Sequence, residues 1–264
     1  MMIRTTLITL RRIFTEKSCL LCCAFVFALC FTASVGVAEN GDPLNVLSYV
    51  FGGEKNPPSA DMIINSRGGS WLAMFLPIIS GLCFANVICD DKSSKYTRCE
   101  VIRTGFYKLK AAKFLSALVS SGIVMAVGFA AFSFFIRSYF PKDGFVEINL
   151  AVIIAEMFIY GIMSAIPALI ATAFTNNKYL IVCVPFLLKY VLSQFAYKLS
   201  NDAYEDLWHP DLALAKLGML IAPDSVSFVF TYPYKLEIIM INAVLLLGGG
   251  AVYLFVKGGV DKGE

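Results

Sequence analysis

Few residues of this sequence have the types and spacing that chemistry at a site requires. Cys19, Cys22 and Cys23 have a CxxC-like spacing, which in other settings binds metal or exchanges electrons. No histidine and no second cysteine pair follows them closely, so we interpret them as small apolar residues at the start of a helix. The single histidine, His209, excludes a multi-histidine metal site, and no glycine-rich phosphate-binding motif occurs. The sequence therefore predicts no catalytic, cofactor-binding or metal-binding residues, and a chain that is not an enzyme.

Two ionisable residues, Glu156 and Lys189, lie deep inside long apolar stretches. Charged side chains are costly inside a membrane, and where they occur they commonly serve a function. Counted along their helices at about 1.5 Å per residue, the two lie at nearly the same depth. We therefore predict an intramembrane ion pair, which either belongs to a substrate path or outer gate or simply holds two helices together. The remaining interpretation is that Lys189 alone extends toward the membrane surface.

The composition indicates the class of protein that positions these residues. The chain has 264 residues, of which 58% are hydrophobic and 16% charged, and its mean hydropathy is +0.72. An ordinary soluble domain has about 25% charged residues, so this chain lacks the charge to cover a soluble surface. The net charge of +3 is too small and too dispersed for a nucleic-acid binder. The class that remains is an all-α integral membrane protein.

Six apolar stretches reach the length of about 20 residues that a helix needs to cross a bilayer. A basic segment, residues 1–18, precedes them with apolar residues at helical spacing, which is typical of an amphipathic helix on the membrane surface. We predict a single six-helix transmembrane domain over residues 19–256, followed by a tail over 257–264. The predicted spans are 19–38, 71–89, 114–136, 151–174, 179–196 and 238–256.

The first span has a second interpretation. Residues 1–38 also have the features of a secretory signal, with a basic start, an apolar centre and a small-residue cleavage site at Gly36-Val37-Ala38. Cleavage would leave five spans with the same orientation, so the loop charges do not separate the two interpretations.

The distribution of lysine and arginine predicts the orientation. With the N-terminus inside, the cytoplasmic segments hold 14 of the 22 basic residues, the outer segments hold 7, and Lys189 lies in a span. Because basic residues concentrate on the cytoplasmic side, we expect both termini there. All eight cysteines lie in spans or on this same side, so no disulfide framework is expected.

The most informative loop, residues 90–113, joins the second and third spans. Its apolar residues follow helical spacing, and Gly105 predicts a break or bend in the helix. One interpretation is a solvated basic loop attracted to anionic lipid headgroups. The other is a short helix that docks on a soluble partner. The apolar residues are Ile102, Phe106 and Leu109, and the basic ones include Arg98, Arg103, Lys108, Lys110 and Lys113.

With this loop in view, the chain resembles the permease subunits of ABC-2-type ABC transporters over nearly its whole length. The resemblance rests on an ordered set of features: the amphipathic N-terminal segment, the acidic end of the second span at Asp90 and Asp91, the basic loop, Gly105-Phe106-Tyr107, Lys113 before the third span, and a short C-terminal tail. Members of the family often carry Glu where this chain has the Asp pair. The resemblance implies the six-helix ABC-2 exporter fold, with cytoplasmic termini, in the plasma membrane of a bacterium.

The resemblance also implies a function and partners. The chain would form the membrane pathway for ATP-driven export of a peptide, an amphiphilic compound or a lipid. ATP and Mg would be bound by a separate ABC ATPase subunit, present in two copies, and a second permease chain, identical or homologous, would complete the pathway. Membrane lipid is the other expected partner; no nucleic acid is expected. The loop would be the coupling helix that contacts the ATPase through Arg98, Glu100, Arg103, Phe106 and Tyr107.

Two alternatives stay open on the residues alone. In the alternative to the ABC transporter function, the chain is a non-ABC polytopic membrane protein, such as an immunity or scaffold factor without a transport cycle. The outer segment, residues 197–237, is either a re-entrant helix or an extracellular recognition loop.

Overall fold

The computed structural model describes residues 2–37, 43–51, 58–65, 71–94, 96–141, 149–202 and 235–255. This part of the chain is mostly helical, in agreement with the predicted class. In chain order its elements are α1 (Met2–Thr15), α2 (Lys17–Cys30), β1 (Ser34–Val37), β2 (Pro43–Asn45), α3 (Val46–Phe51), α4 (Ala60–Asn65), α5 (Trp71–Ser93), α6 (Tyr96–Thr104), α7 (Phe106–Tyr139), α8 (Leu150–Phe174), α9 (Lys178–Asp202) and α10 (Lys235–Phe255).

Among the described residues, two helices are long and apolar enough to cross a membrane, α7 with 34 residues and α8 with 25. The pair α1 and α2 would add a third if the two form one broken span. Shorter apolar helices lie at Lys178–Leu188 and Leu246–Phe255. These features suggest a membrane protein, while the count of six spans and the orientation stay predictions.

The first predicted span differs from the helix that forms. The prediction placed its end at residue 38, but α2 ends at Cys30, and Ser34–Val37 forms a strand that pairs antiparallel with Pro43–Asn45. Two local effects end the helix: the Thr32 hydroxyl donates to the Leu29 carbonyl at 2.7 Å, and the valines of β1 favour extended backbone. A bend of 66° separates α1 from α2, so α1 runs across the bundle end rather than along it.

Helix α7 lies at the centre of the described structure, where it packs against α1, α2, α5, α8 and α10. Small residues let the backbones approach closely. The Ser121 hydroxyl of α7 donates to the Gly161 carbonyl of α8 at 2.8 Å, and Ala165 on the same helix is fully buried. Gly161 and Ala165 thus lie where α8 packs closely against its neighbours, as is typical of small residues at helix contacts. Helices α8 and α9 pack against each other across the three-residue turn that separates them.

A second polar contact lies at the far end of α7. Arg137 pairs with Asp61 of α4 at 3.2 Å, and the Ala60 amide donates to the Pro141 carbonyl at 3.0 Å. Asp61 is buried, so this ion pair fastens α4 to the end of α7. Between Lys113 and Arg137, α7 has no charged residue, a stretch of about 36 Å at about 1.5 Å per residue. That length matches a bilayer core of about 30 Å with its boundaries.

The predicted break at Gly105 is confirmed. Gly105 separates α6 from α7 with a φ of 82°, in the left-handed region that residues with a side chain rarely adopt. A Cβ built on Gly105 meets nothing within 4 Å, so the glycine is required by its backbone conformation and not by crowding.

Gly105→Ala is expected to lower the free energy of unfolding by about 1–2 kcal/mol, because alanine is strained in this conformation. Gly248→Ala is the matched control, since Gly248 also has open space but an ordinary helical backbone. That control should be neutral or slightly stabilising. Thermal unfolding in detergent micelles measures both, and equal effects of the two substitutions would contradict the assignment of strain to Gly105.

Candidate functional site

Four charged side chains from four helices meet at one end of the bundle. Arg12 of α1 contacts Asp91 of α5 at 2.8 Å, and Lys113 of α7 contacts the other Asp91 oxygen at 2.8 Å. Lys113 also contacts Glu100 of α6 at 3.2 Å. Arg12, Asp91, Lys113 and Glu100 form the basal charge cluster. Two cations face two carboxylates, so the cluster is neutral as a whole.

The cluster is largely withdrawn from solvent. The side chains of Asp91 and Lys113 are 2% and 6% exposed, and Glu100 is 16% exposed, whereas Arg12 retains 43%. Burial of single charges is costly, and mutual pairing offsets that cost only when the geometry is good. Asp91 lies near the C-terminus of α5, where the helix dipole disfavours a carboxylate. Its two cationic partners therefore stabilise an ionised group that the helix alone would not.

Two lysines beside the cluster bind carbonyl groups at the ends of other helices. The Lys92 ammonium donates to the Thr172 carbonyl near the end of α8, and Lys110 donates to the Tyr253 carbonyl near the end of α10 at 3.2 Å. The last four carbonyls of a helix have no partner within the helix, and a cation there also complements the dipole. Burial lowers the pKa of Lys92. Both lysines thus fasten a neighbouring helix end to the base of the bundle.

A further ion pair attaches α9. Lys178, at its first residue, contacts Asp90 at the end of α5 at 2.6 Å. The hydrogen bond to Asp90 raises the pKa of Lys178. This pair is largely exposed, so we expect it to contribute little to stability.

The contacts described above show which helix ends lie at the same end of the bundle. The ends of α5, α8 and α10 lie with the beginnings of α7 and α9, so consecutive long helices alternate in direction. Helix α1 and the end of α10 lie at this same end of the bundle. We call it the basal end.

The face of α6 that points away from Glu100 and the basal charge cluster is open. Ile102 is 85% exposed, Arg103 is exposed, and Tyr107 at the start of α7 is 59% exposed. Phe106 is half-buried, and the Lys110 ammonium lies 4.5 Å from the centre of its ring. The loop therefore presents an apolar and basic surface outward while Glu100 fastens it inward.

The structure distributes the predicted coupling residues between these two faces. It places Glu100 in the basal charge cluster, Arg103 and Tyr107 on the open face, and Phe106 beneath Lys110. Arg98 lies in α6, but its side chain is outside the described residues. None of these positions tests the role that the resemblance implies.

The cluster itself was missed by sequence reasoning. Asp91 and Lys113 were recognised only as parts of a pattern, and Arg12 was not assigned to a site. The available signal was opposite charge at the two ends of the loop, 22 residues apart, each next to an apolar stretch. That signal does not identify the partner from α1, because the bend between α1 and α2 sets where Arg12 points.

The predicted intramembrane pair stays a prediction. Glu156 is buried on α8, with 7% exposure, but the side chain of Lys189 is outside the described residues. Cys19 and Cys22 are buried in α2, in agreement with their interpretation as apolar helix residues. In the described part of the chain, no group of three or more His, Cys, Asp or Glu side chains is arranged to hold a metal ion. His209 and most of segment 197–237 lie outside the described residues.

Comparison with known proteins does not extend these observations. No protein-family model, no curated protein and no solved structure matches the chain. The function is therefore argued from the helix arrangement, the basal charge cluster and the open face of α6.

Proposed function

We propose that this chain is the permease subunit of an ABC transporter of the ABC-2 type. It would form the membrane pathway for ATP-driven export of a peptide, an amphiphilic compound or a lipid, while a separate ATPase subunit hydrolyses ATP. The observation that supports this most is the placement of α6, a short helix between two long ones that is held on one face by the Glu100–Lys113 ion pair and is open on the other.

The open face of α6 has the properties of a protein contact. Its exposed side chains include a large apolar one that is 85% exposed, Ile102, together with the basic Arg103 and the aromatic Tyr107. Apolar, aromatic and arginine side chains are enriched at the centres of protein interfaces. The face lies at the basal end, beyond the charge-free stretch of α7, so its occupant would be a soluble protein.

The inner face of α6 would transmit a movement of α6 to the helices packed beside it. A shift of α6 displaces Glu100 and thereby changes the field at Lys113, which is shared with Asp91. Motion of α6 would thus reach α5 and α7 together. A partner can shift such an equilibrium only by contacting α6 differently in its two states, as an ATPase does when it closes on ATP.

The charge distribution supports the proposed orientation. Residues 90–113 carry seven of the fourteen basic residues that the sequence assigns to the cytoplasmic side, and basic loops remain in the cytoplasm. The basal end would therefore face the cytoplasm of a bacterial cell, where the ATPase resides. A second permease chain, identical or homologous, would complete the pathway.

Affinity purification tests the proposal. The tagged chain, extracted from its native membrane in mild detergent, should co-purify with an ABC ATPase and show ATP hydrolysis. Ile102→Asp combined with Arg103→Glu should reduce the recovered ATPase about tenfold or more, because a buried interface contact is replaced by unpaired charge. The matched control is Ser138→Asp, an exposed position at the other end of α7.

Either of two results would contradict the proposal. The first is a chain that purifies intact with no ATPase, which favours a scaffold or immunity factor. The second is a complex that survives deletion of residues 94–110 unchanged.

A further inference from the structure

Helix α1 and helix α6 each contribute a charged residue to the basal charge cluster, Arg12 and Glu100, and Asp91 and Lys113 connect the two. We propose that the cluster couples them, so that an anionic phospholipid surface bound by α1 changes the position of α6. This inference deepens the proposed function, since α6 is the proposed docking helix, but the measurement below requires no ATPase.

The outer face of α1 fits the surface of an anionic bilayer. Ile3 and Leu7 are 75% and 59% exposed, and Arg4 and Arg11 are exposed beside them. The helix contains three arginines and no acidic residue. Apolar side chains set among basic ones bind where lipid headgroups meet acyl chains, and negative lipid charge strengthens that binding. The occupant that complements this face is therefore the phosphate layer of an anionic lipid leaflet.

The inner side of the same helix carries Arg12. Its guanidinium contacts Asp91 at 2.8 Å, Asp91 contacts Lys113 at 2.8 Å, and Lys113 contacts Glu100 at 3.2 Å. Asp91 and Lys113 each contact two opposite charges, so neither pair can change without altering the next. These contacts form a continuous path from the lipid-facing helix to α6.

Coupling of this kind acts in both directions. If lipid bound at α1 favours one position of α6, then a partner that holds α6 in that position strengthens the binding of α1 to lipid. Lipid binding at α1 and partner binding at α6 would then both change the arrangement of the basal charge cluster. Arg12 would act as a positioning residue for α6.

A spin label on α6 tests the inference directly. Cys99 is exposed on α6, and Cys183→Ser removes the other exposed cysteine among the described residues. The labelled full-length chain is placed in nanodiscs of phosphatidylcholine alone or with phosphatidylglycerol. We expect the label's mobility to differ between the two lipids, and Arg12→Gln to abolish the difference.

Three further variants separate positioning from general damage. Arg12→Lys keeps the charge and should retain the lipid response, and Lys108→Gln, at an exposed position of α7 outside both α1 and α6, should retain it too. Glu100→Gln breaks the far end of the path without touching α1, so it should abolish the response by itself and serves if Arg12→Gln folds poorly.

The inference fails if the label does not distinguish the two lipids in the unsubstituted chain. It fails equally if the response persists in Arg12→Gln, or in Glu100→Gln, at its original size. Because no ATPase is present in the nanodiscs, the two proposals can fail separately. If the label responds to lipid but no ATPase co-purifies with the chain, the proposed function is rejected and the coupling between α1 and α6 is supported.

Discussion

Replacement of Lys113 by Met is expected to lower the free energy of unfolding by about 3–5 kcal/mol. The Lys113 side chain is 6% exposed and contacts both carboxylates of the basal charge cluster. Its removal takes one cationic contact from each of two carboxylates, Asp91 and Glu100, and leaves the basal charge cluster with a net negative charge. A buried charge left without compensation is among the most destabilising changes that a single substitution can cause. Thermal or denaturant unfolding in detergent micelles, followed by circular dichroism, measures the loss.

Two variants show whether the effect comes from charge balance. Lys108→Met removes an exposed lysine from the same helix, so we expect a change within about 0.5 kcal/mol. Lys113→Met combined with Glu100→Gln removes one cation and one carboxylate and leaves the Arg12–Asp91 pair intact. This double variant should be more stable than Lys113→Met alone, a non-additivity typical of residues in one network. A double variant as unstable as the sum of its two single variants would show that the ion pairs are not coupled.

Much of the helical framework follows from hydropathy alone. Apolar stretches must bury their backbone polar groups in helices when water is absent, so their positions predict helices without knowledge of partners. The polar turn before Lys178 and the flexibility of glycine at Gly105 likewise act locally, and the structure agrees with both.

The end of the first helix could not be predicted in this way. Residues 31–38 are apolar enough to continue a helix, but a hairpin with residues 43–45 competes for the backbone of β1. The pairing of Ser34 with Asn45 depends on a segment that hydropathy treats as an ordinary loop. Tertiary pairing of this kind overrides local helical preference.

The basal charge cluster could be predicted only in part. Asp91 and Lys113 border the same loop, so their pairing follows once the loop is short enough to bring two helix ends together. Arg12 comes from a helix whose direction is set by a 66° bend, and Glu100 depends on how α6 turns at Gly105. Both orientations arise from three-dimensional packing, and neither leaves a periodic signal in the sequence.

Gly161→Ala is expected to lower the free energy of unfolding by about 3 kcal/mol, at the upper end of the range for overpacked sites. A Cβ at this position would lie 2.8 Å from the Ser121 carbonyl oxygen and 2.9 Å from the Gly122 Cα. Because both neighbours are backbone atoms of α7, neither can rotate away, and the two helices must separate. Separation also lengthens the hydrogen bond from the Ser121 hydroxyl to the Gly161 carbonyl.

Inside a membrane, close contact of this kind is a main source of the association between helices. Lipid chains are as apolar as leucine, so helices associate through close van der Waals contact and hydrogen bonds rather than through exclusion of water. The matched control, Gly248→Ala on α10, has no atom within 4 Å of the added Cβ and should be neutral or slightly stabilising. Unfolding of both variants in the same micelles compares them directly. If Gly161→Ala proved as stable as Gly248→Ala, then the contact of Gly161 with the Ser121 and Gly122 backbone would not set the distance between α7 and α8.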